Sequence, residues 1–171
     1  ERKAVASMDL ILANSAFTAR NIALIYGREA VACPPGVPLP LSERSPTNAI
    51  RMVSRMTPEK NLEAAIRAMK VLAARSLAPP DTTLQIVGTG FMEGSLYQLV
   101  SDLQLDNVEF LGYIPDRELD SFYGGARVVL YTPIDEPLGL VPLEGMAHGV
   151  PVIGSNHGGV AETVLHGITG Y

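Results

Sequence analysis

Six short apolar runs recur along the chain and alternate with segments in which apolar residues are spaced as on one face of a helix. The runs occupy residues 10–13, 50–54, 84–88, 108–111, 128–131 and 151–154. Because they are apolar at consecutive positions rather than at every second one, they are typical of parallel strands covered on both faces. The pattern predicts an α/β fold with a doubly wound parallel sheet and helices on both faces.

The segments between the runs carry ordinary helix signals. Thr57 and Pro58 predict the start of one helix, and Asp116 can cap another. The first of these helices has an apolar stripe at Leu62, Ala65, Ile66, Met69, Leu72 and Ala73. Pro142 fits only a first helical turn, so a further helix is predicted to start near Gly139 and to stop at Gly149.

Residues 33–48 are dense in proline and turn-forming residues. We interpret this stretch as an interdomain linker, although a long surface loop inside one domain is the alternative. Residues 1–40 are then a remnant of another domain with its linker, and residues 41–171 form the main domain. The chain opens with Glu1 rather than Met and stops at Tyr171 after a Gly-Ile-Thr-Gly turn, so we expect a piece of a longer protein.

Composition narrows the classes of partner. The chain has 171 residues, 47% of them hydrophobic, and a formal net charge of −5 with 13 scattered basic residues, which argues against nucleic acid or an anionic membrane surface as the main partner. The single cysteine, Cys33, cannot form an internal disulfide, and neither a transmembrane segment nor a signal peptide is recognisable. A cytoplasmic location is therefore expected.

Arg55 and Lys60 are the first candidates for chemistry. Arg55 follows the strand at 50–54, and Lys60 is expected in the first turn of the next helix. Two cations near the positive end of a helix dipole are disfavoured by roughly 0.3 to 1 kcal/mol each unless an anion offsets them. A phosphate group is the obvious anion. The alternative is a pair of solvated surface cations softened by neighbouring Glu59.

Two further loops carry weaker signals. The sequence GTGFMEG after the strand at 84–88 brings glycines to a strand end, but Gly94 comes one residue too late for a dinucleotide fingerprint, and glycines also serve any tight turn. In the sequence GYIPD, Tyr113 and Ile114 stand where a flat base could rest, or they simply pack.

Glu136 and Glu144 bracket the strand-to-helix turn in the sequence EPLGLVPLE, with Glu136 on the loop and Glu144 on the helix. Together with Asn156 and His157 they could hold a sugar. Paired carboxylates also occur in glycoside hydrolases, but Arg55 and Lys60 in the same crevice would favour a phosphate leaving group. The histidines at 148, 157 and 166 lack metal-ligand spacing, so no metal site is predicted.

These motifs, taken in order, resemble one family. Residues 53–171 resemble the carboxyl-terminal half of the retaining glycosyltransferases of family 4, within the group 1 glycosyltransferases, whose two Rossmann-like domains form the GT-B architecture. The matching motifs are VSRMTPEKNLEAAIRA, LQIVGTG, VEFLGYIPDREL, EPLGLVPLEGMAHGVPVI and SNHGGVAETVLHGITGY. The stretches DLILANSAFTARNIALIYG and VACPPGVPL are similar to the end of the family's amino-terminal acceptor domain.

The resemblance implies a role for each candidate residue. Arg55 and Lys60 would stabilise the charge of the departing diphosphate, Glu136 would lie beside the transferred sugar, and Glu144 would bind the donor ribose. Other residues would complete the donor site. The backbone of Gly139 and Leu140 would contact the sugar or the phosphate, and Gly90 would lie against the donor. Tyr113 and Ile114 would line the pocket for the base.

The resemblance also implies an activity and its partners. We expect transfer of a hexose with retention of configuration from GDP-mannose, or alternatively a UDP-hexose, to a carbohydrate or lipid-linked acceptor bound by the other domain, as in polysaccharide biosynthesis. No metal or other cofactor is expected, and the full-length protein is expected to be cytoplasmic and peripheral to the membrane. Leu138 and Gly145 replace an aromatic residue and an alanine, which we expect to loosen the packing behind the sugar.

Two other functions remain open at this point. A nicotinamide-dependent oxidoreductase is suggested by the α/β pattern and by Glu109 downstream of the glycine loop, although Glu109 lies inside a strand. A non-catalytic nucleotide-binding module would retain the pocket without the chemistry. Alone, the 171-residue chain is expected to bind the donor but hardly to catalyse transfer.

Overall fold

The computed structural model describes residues 2–41 and 43–171 and contains seven strands and seven α-helices within them. The strands are β1 Leu12–Ala13, β2 Val31–Ala32, β3 Ala49–Val53, β4 Thr83–Val87, β5 Val108–Gly112, β6 Val128–Tyr131 and β7 Val152–Gly154. The helices are α1 Arg2–Ala6, α2 Ala16–Tyr26, α3 Leu62–Ala74, α4 Glu93–Asp102, α5 Asp116–Gly124, α6 Leu140–Ala147 and α7 Val160–Thr163, and a 3-10 turn spans Pro58–Lys60.

Five strands form one sheet in the order β5-β4-β3-β6-β7, and every neighbouring pair is parallel. The order reverses at β3, so the carboxyl ends of β3 and β6 flank a crevice of the kind that binds ligands in doubly wound folds. The predicted α/β class and the five predicted strands of this sheet are confirmed. A second sheet pairs β1 with β2; the sequence pattern missed β2, which has only two residues, both exposed.

Each face of the five-stranded sheet has its own apolar core. On one face, α3 and α4 pack on the central strands around Met52, Leu62, Ile66, Met69, Leu84, Ile86 and Leu96. On the other face, α5 and α6 cover β6 and β7 around Tyr123, Ala126, Val129, Val150 and Val152. The consecutive apolar positions of the strands exist because both faces are covered.

Two predicted helix starts are wrong in detail. Lys60 lies in the 3-10 turn, and Asn61, with a φ of 50°, separates that turn from α3, so Lys60 does not belong to the first turn of the α-helix. Asp116 is the first residue of α5 rather than its cap, since Pro115 precedes it. Within the predicted stripe of α3, Ala73 is exposed.

The proline-rich stretch at 33–48 contains neither helix nor strand among its described residues. Its second half is attached to the end of α5: the Leu41 N–H donates to Asp120 at 3.0 Å, and the Ser45 and Thr47 N–H groups donate to the carbonyls of Gly124 and Gly125 at 3.1 and 3.0 Å. The stretch is therefore bonded to the main sheet domain at Leu41, Ser45 and Thr47.

The amino-terminal segment docks on the main sheet domain through the start of α2. The Ala16 and Phe17 N–H groups donate to the carboxylate of Glu162, at 2.9 and 2.6 Å, and the Ser15 hydroxyl donates to the Pro137 carbonyl. None of the helices within residues 2–41 and 43–171 has the length and hydropathy needed to cross a membrane.

Candidate donor-binding cleft

The loops after β3, β4, β5 and β6 line one cavity of about 370 Å³ at the carboxyl edge of the sheet. Its walls are Val53, Ser54, Arg55, Lys60, Val87, Gly88, Thr89, Tyr113, Ile114, Asp116, Leu119, Tyr131 and Val141. Four of the predicted site residues, Arg55, Lys60, Tyr113 and Ile114, thus face one space. They meet because parallel strands all end at the same edge of the sheet.

Lys60 and Glu136 form an ion pair in this cleft. The Lys60 Nζ lies 2.5 Å from Oε2 of Glu136, and the two side chains are only 13% and 16% exposed. The loops that carry them are bonded to each other, since the Thr132 hydroxyl donates to the Lys60 carbonyl at 3.1 Å and the Ile134 N–H donates to the Glu59 carbonyl at 2.8 Å. The position of Lys60 relative to Glu136 is therefore fixed by backbone contacts.

Arg55 stands in a different environment from Lys60. Arg55 is exposed at the wall of the cavity, which agrees with the alternative interpretation of this residue as a solvated surface cation. Lys60, in contrast, is largely buried in its ion pair. The Thr57 hydroxyl donates to Glu59 at 2.7 Å, and this bond, with the nearby charges of Arg55 and Lys60, lowers the pKa of the exposed Glu59 carboxyl. Because Arg55 is exposed where it lines the cavity, an incoming anion can reach it.

Tyr131 is a second neighbour of Glu136 that the sequence did not single out. It ends β6, is buried and lines the cleft. Burial, followed by the charge and hydrogen bond of Glu136, raises the pKa of the Tyr131 hydroxyl. The phenol therefore stays protonated at neutral pH and can donate to the carboxylate.

Helix α6 begins at the cleft, as predicted. Gly139 precedes it with a φ of 86°, a conformation that favours glycine, and a Cβ there would lie 3.0 Å from the Tyr131 ring. No side chain of the described residues caps the first turn, so the N–H groups from Gly139 and Leu140 onward keep their partial positive charge for a ligand.

Glu144 lies in an adjoining cavity of about 290 Å³ rather than in the first one. That cavity is lined by Pro38, Leu39, Asp116, Leu119, Asp120, Tyr123, Glu144 and His148, and it shares Asp116 and Leu119 with the first. The Tyr123 hydroxyl donates to Oε2 of Glu144 at 2.5 Å. The two cavities adjoin at Asp116 and Leu119, and together we call them the cleft, with Lys60 in the first cavity and Glu144 in the second, the Glu144 arm.

Gly90 does not line either cavity; Gly88 and Thr89 of the same loop do. A Cβ at Gly90 would lie 2.4 Å from the Met56 carbonyl oxygen, and one at Gly88 would lie 1.9 Å from that of Ser54. These glycines allow the loops after β3 and β4 to approach each other closely. The sequence signal for Gly90 thus has a packing explanation within the chain.

The remaining candidate residues of the sequence lie around the cleft or in the packing behind it. His157 and Asn156 are exposed, and His157 Nδ1 contacts Asp135 at 2.7 Å. A Cβ at Gly145 would lie 3.0 Å from a methyl group of Val129, and Leu138 is buried, so both positions lie in packed parts of the protein; whether the packing behind the sugar is looser than in relatives stays a prediction. Among residues 2–41 and 43–171 no three side chains of His, Cys, Asp or Glu converge as metal ligands would.

Comparison with known proteins gives a consistent result. The sequence profile of the family described as Glycosyl transferases group 1 matches residues 40–171. A GDP-mannose-dependent alpha-(1-6)-phosphatidylinositol monomannoside mannosyltransferase of Mycolicibacterium smegmatis is 34% identical over 95% of this chain and 48% of its own length. The mouse alpha-1,3/1,6-mannosyltransferase ALG2 is 32% identical over 70% of this chain and 31% of its own length.

Solved structures agree with this result. HepE of Anabaena, solved with UDP-glucose, has a TM-score of 0.82 and 27% identity over 95% of this chain and 49% of its own. Staphylococcus aureus TarM has a TM-score of 0.83 over 99% of this chain and 34% of its own, and its 18% identity shows likeness of fold alone. These neighbours have the GT-B architecture, so the expected fold class is confirmed. The chain spans about half or less of each of these proteins.

Proposed function

Because the chain belongs to the group 1 glycosyl transferase family, we propose that it is the donor-binding half of a retaining, metal-independent hexosyltransferase. The full protein would transfer a hexose from a nucleotide diphosphate sugar to a carbohydrate or lipid-linked acceptor. The observation that carries the proposal is the Lys60–Glu136 pair beside Arg55 and the start of α6 in one cleft. This end of the cleft supplies positive charge for a diphosphate and a carboxylate for a sugar hydroxyl.

In the proposed mechanism the diphosphate lies between Arg55, Lys60 and the N–H groups at the start of α6. As the bond from the sugar to phosphate breaks, these groups stabilise the negative charge that develops on the leaving oxygen, a task that a divalent cation performs in other enzymes. Glu136 binds the transferred hexose. The position of Lys60 in a sequestered ion pair supports this assignment, because a charge held in a site of low water content acts more strongly than an exposed one.

The nucleoside would span the two cavities, with its base near Tyr113 and Ile114 in the first cavity and its ribose on Glu144 in the second, and Asp116 lines both. A GDP-mannose donor is favoured by the stated donor of the mycobacterial relative, and Asp116 supports guanine because a carboxylate can accept both N–H groups on one edge of that base. A UDP-hexose is the second candidate, supported by the UDP-glucose bound to HepE.

We do not expect this chain to catalyse transfer by itself. Its relatives are at least twice as long, and the acceptor and its catalytic surroundings would come from their remaining length. The 171-residue chain should therefore bind the donor with little turnover, and the full-length protein would be cytoplasmic and peripheral to the membrane. A non-catalytic nucleotide-binding module would show the same binding and would differ only in lacking transfer at full length.

The geometry gives the oxidoreductase alternative little support. Glu109 is the second residue of β5, and its carboxylate accepts a hydrogen bond from Gln85 at 2.9 Å. It lines neither of the two cleft cavities, whereas an acid that binds a dinucleotide ribose lies at a strand end.

The test is calorimetric titration of the chain with GDP-mannose, UDP-glucose and NAD, repeated for Lys60→Ala and for Arg67→Ala, an exposed cation on α3, as the control. One sugar nucleotide should bind, and Lys60→Ala should weaken it about 10-fold to 100-fold, the usual loss for a hydrogen bond to a charged group. Arg67→Ala should leave the affinity unchanged. Binding of NAD alone, or equal affinities in both variants, would refute the assignment.

A further inference from the structure

Tyr123 occupies the junction between α5 and α6 behind the Glu144 arm of the cleft. Its side chain is 2% exposed and belongs to the core formed with Ala126, Val129, Val150 and Val152. Its hydroxyl donates a hydrogen bond to the Oε2 atom of Glu144 at 2.5 Å. The ring of Tyr123 therefore packs in the core as a phenylalanine would, while its hydroxyl is bonded to Glu144, a residue that lines the cleft.

The ring of Tyr123 is held on two sides. The Phe122 ring stands edge-on with its centroid 6.3 Å away, and the His148 ring lies 5.4 Å away at 35°. His148 is itself fixed, because Nδ1 contacts the Glu144 carbonyl oxygen at 2.7 Å and Nε2 contacts Asp120 at 2.9 Å. The hydroxyl of Tyr123 consequently has little freedom to leave the carboxylate.

The protonation of Tyr123 suits a permanent donor. Burial, with the charge of Glu144 next in size, raises the pKa of its hydroxyl well above the ordinary value for tyrosine. The phenol therefore stays neutral at any physiological pH and donates to the carboxylate, while Glu144 has acceptor capacity left for other donors.

We propose that Tyr123 is a positioning residue for the donor ribose: it binds one oxygen of Glu144 and so orients the carboxylate to accept the vicinal hydroxyls of a nucleotide in the cleft. The inference rests on the proposed function. A carboxylate held in one rotamer binds a diol without first losing side-chain freedom, whereas an unrestrained glutamate has to be ordered by the ligand. The hydroxyl of Tyr123 thus affects recognition of the ribose without touching the nucleotide.

The test compares each nucleotide with a form that lacks both ribose hydroxyls. Affinities for GDP and 2′,3′-dideoxy-GDP, and in parallel for UDP and 2′,3′-dideoxy-UDP, are measured by calorimetry for the wild type, Tyr123→Phe, and the control Tyr97→Phe, whose ring packs on Phe110 of the sheet far from Glu144. The wild type should prefer the ribose form at least 10-fold. Tyr123→Phe should reduce this ratio about fivefold and leave dideoxynucleotide affinity within about twofold, and Tyr97→Phe should keep the wild-type ratio.

Glu144→Gln and the double variant Tyr123→Phe/Glu144→Gln complete a double-mutant cycle. If Tyr123 acts through the carboxylate, Tyr123→Phe should change the ratio much less in the Glu144→Gln background than in the wild type. A Tyr123→Phe protein that melts at a lower temperature but keeps the wild-type ratio has lost only a structural contact, which would overturn the inference. Failure of the wild type to bind either nucleotide would instead overturn the proposed function, so the two failures are distinguishable.

Discussion

Lys60 and Glu136 are 76 positions apart in the sequence, yet their charged atoms meet at 2.5 Å. The arrangement explains how a lysine can be sequestered at the edge of the sheet, because the acid from the loop after β6 neutralises it. It also means that a diphosphate entering the cleft has to compete with the Glu136 carboxylate for Lys60, or share the lysine with it.

Replacing that carboxylate should therefore have opposite effects on the two parts of a donor. In Glu136→Gln, Lys60 loses its neutralising partner, so GDP or UDP without a sugar should bind as tightly as in the wild type or a few times more tightly. The full sugar nucleotide should lose whatever affinity its hexose contributes. Calorimetry with both ligands measures this difference, and a weaker binding of the free diphosphate would contradict it. Glu63→Gln on α3 is the control.

Gly90 should be intolerant of a side chain for reasons of packing. A Cβ at this position would overlap the backbone of Met56, so Gly90→Ala should destabilise the fold by about 1–3 kcal/mol, the usual cost of overpacking. Gly94→Ala is the matched control: Gly94 lies four residues later in α4, and outside the neighbouring backbone of that helix no atom lies within 4 Å of the added Cβ, so the change should be neutral or stabilising. Urea unfolding of both variants measures the difference, and equal stabilities would contradict the explanation.

Two buried tyrosines predict a loss of stability in alkali. Burial, with neighbouring carboxylates, raises the pKa of Tyr123 and of Tyr131 in the folded protein, whereas an unfolded tyrosine ionises near pH 10. Their contribution to stability is complete below about pH 10. Above it the unfolded state ionises first, and the free energy of unfolding falls by up to about 1.4 kcal/mol per pH unit for each tyrosine.

The measurement is absorbance at 295 nm together with circular dichroism between pH 8 and 13. The phenolate signal of these two tyrosines should appear only as the protein unfolds, and Tyr123→Phe should halve that part of the signal. Full ionisation of all six tyrosines of the chain before unfolding would show that the two are not protected.

Glu162 should hold the amino-terminal segment on the main sheet domain. Its carboxylate accepts the first N–H groups of α2 and lies 3.5 Å from Arg20, so it binds the positive end of the helix dipole. Glu162→Gln removes this charge, and the proline-rich stretch should then be cut about 10-fold faster by a protease, since hydrogen bonds to charged groups are worth about 1.5–3 kcal/mol. Mass spectrometry locates the cuts. The control is Glu29→Gln, which changes an exposed acid of the same segment and should leave the cleavage rate unaltered. If Glu162→Gln also leaves the rate unaltered, Glu162 does not hold the segment in place.

Much of the fold was predictable because it depends on a pattern that any covered parallel strand must show. The runs at 84–88 and 128–131 are apolar at consecutive positions, and both lie inside the five-stranded sheet. The start of α3 was misplaced since Asn61 adopts a left-handed conformation, and sequence alone does not reveal where an asparagine does so. Strand β2 was not predicted, because two exposed residues produce no hydrophobic periodicity.

The site was predictable where it depends on strand ends and not where it depends on packing between helices. Arg55 and Lys60 follow β3, and Glu136 follows β6, so the parallel topology alone brings them to one edge. Tyr123 lies in the last turn of α5, next to Phe122, and nothing in its spacing distinguishes a ring that is only buried from one whose hydroxyl binds Glu144. That contact is set by how α5 and α6 pack on the sheet.

The attachment of the proline-rich stretch to α5 has a mechanical consequence. Since the backbone N–H groups of Leu41, Ser45 and Thr47 are bonded to α5 and to the residue that follows it, a pivot between the amino-terminal segment and the sheet is confined to residues 33–40. Four of these eight residues are prolines, at 34, 35, 38 and 40, and each fixes its own φ angle. The connection is thus short and stiff, and only a few rotatable bonds are left through which the amino-terminal segment could change its direction relative to the sheet.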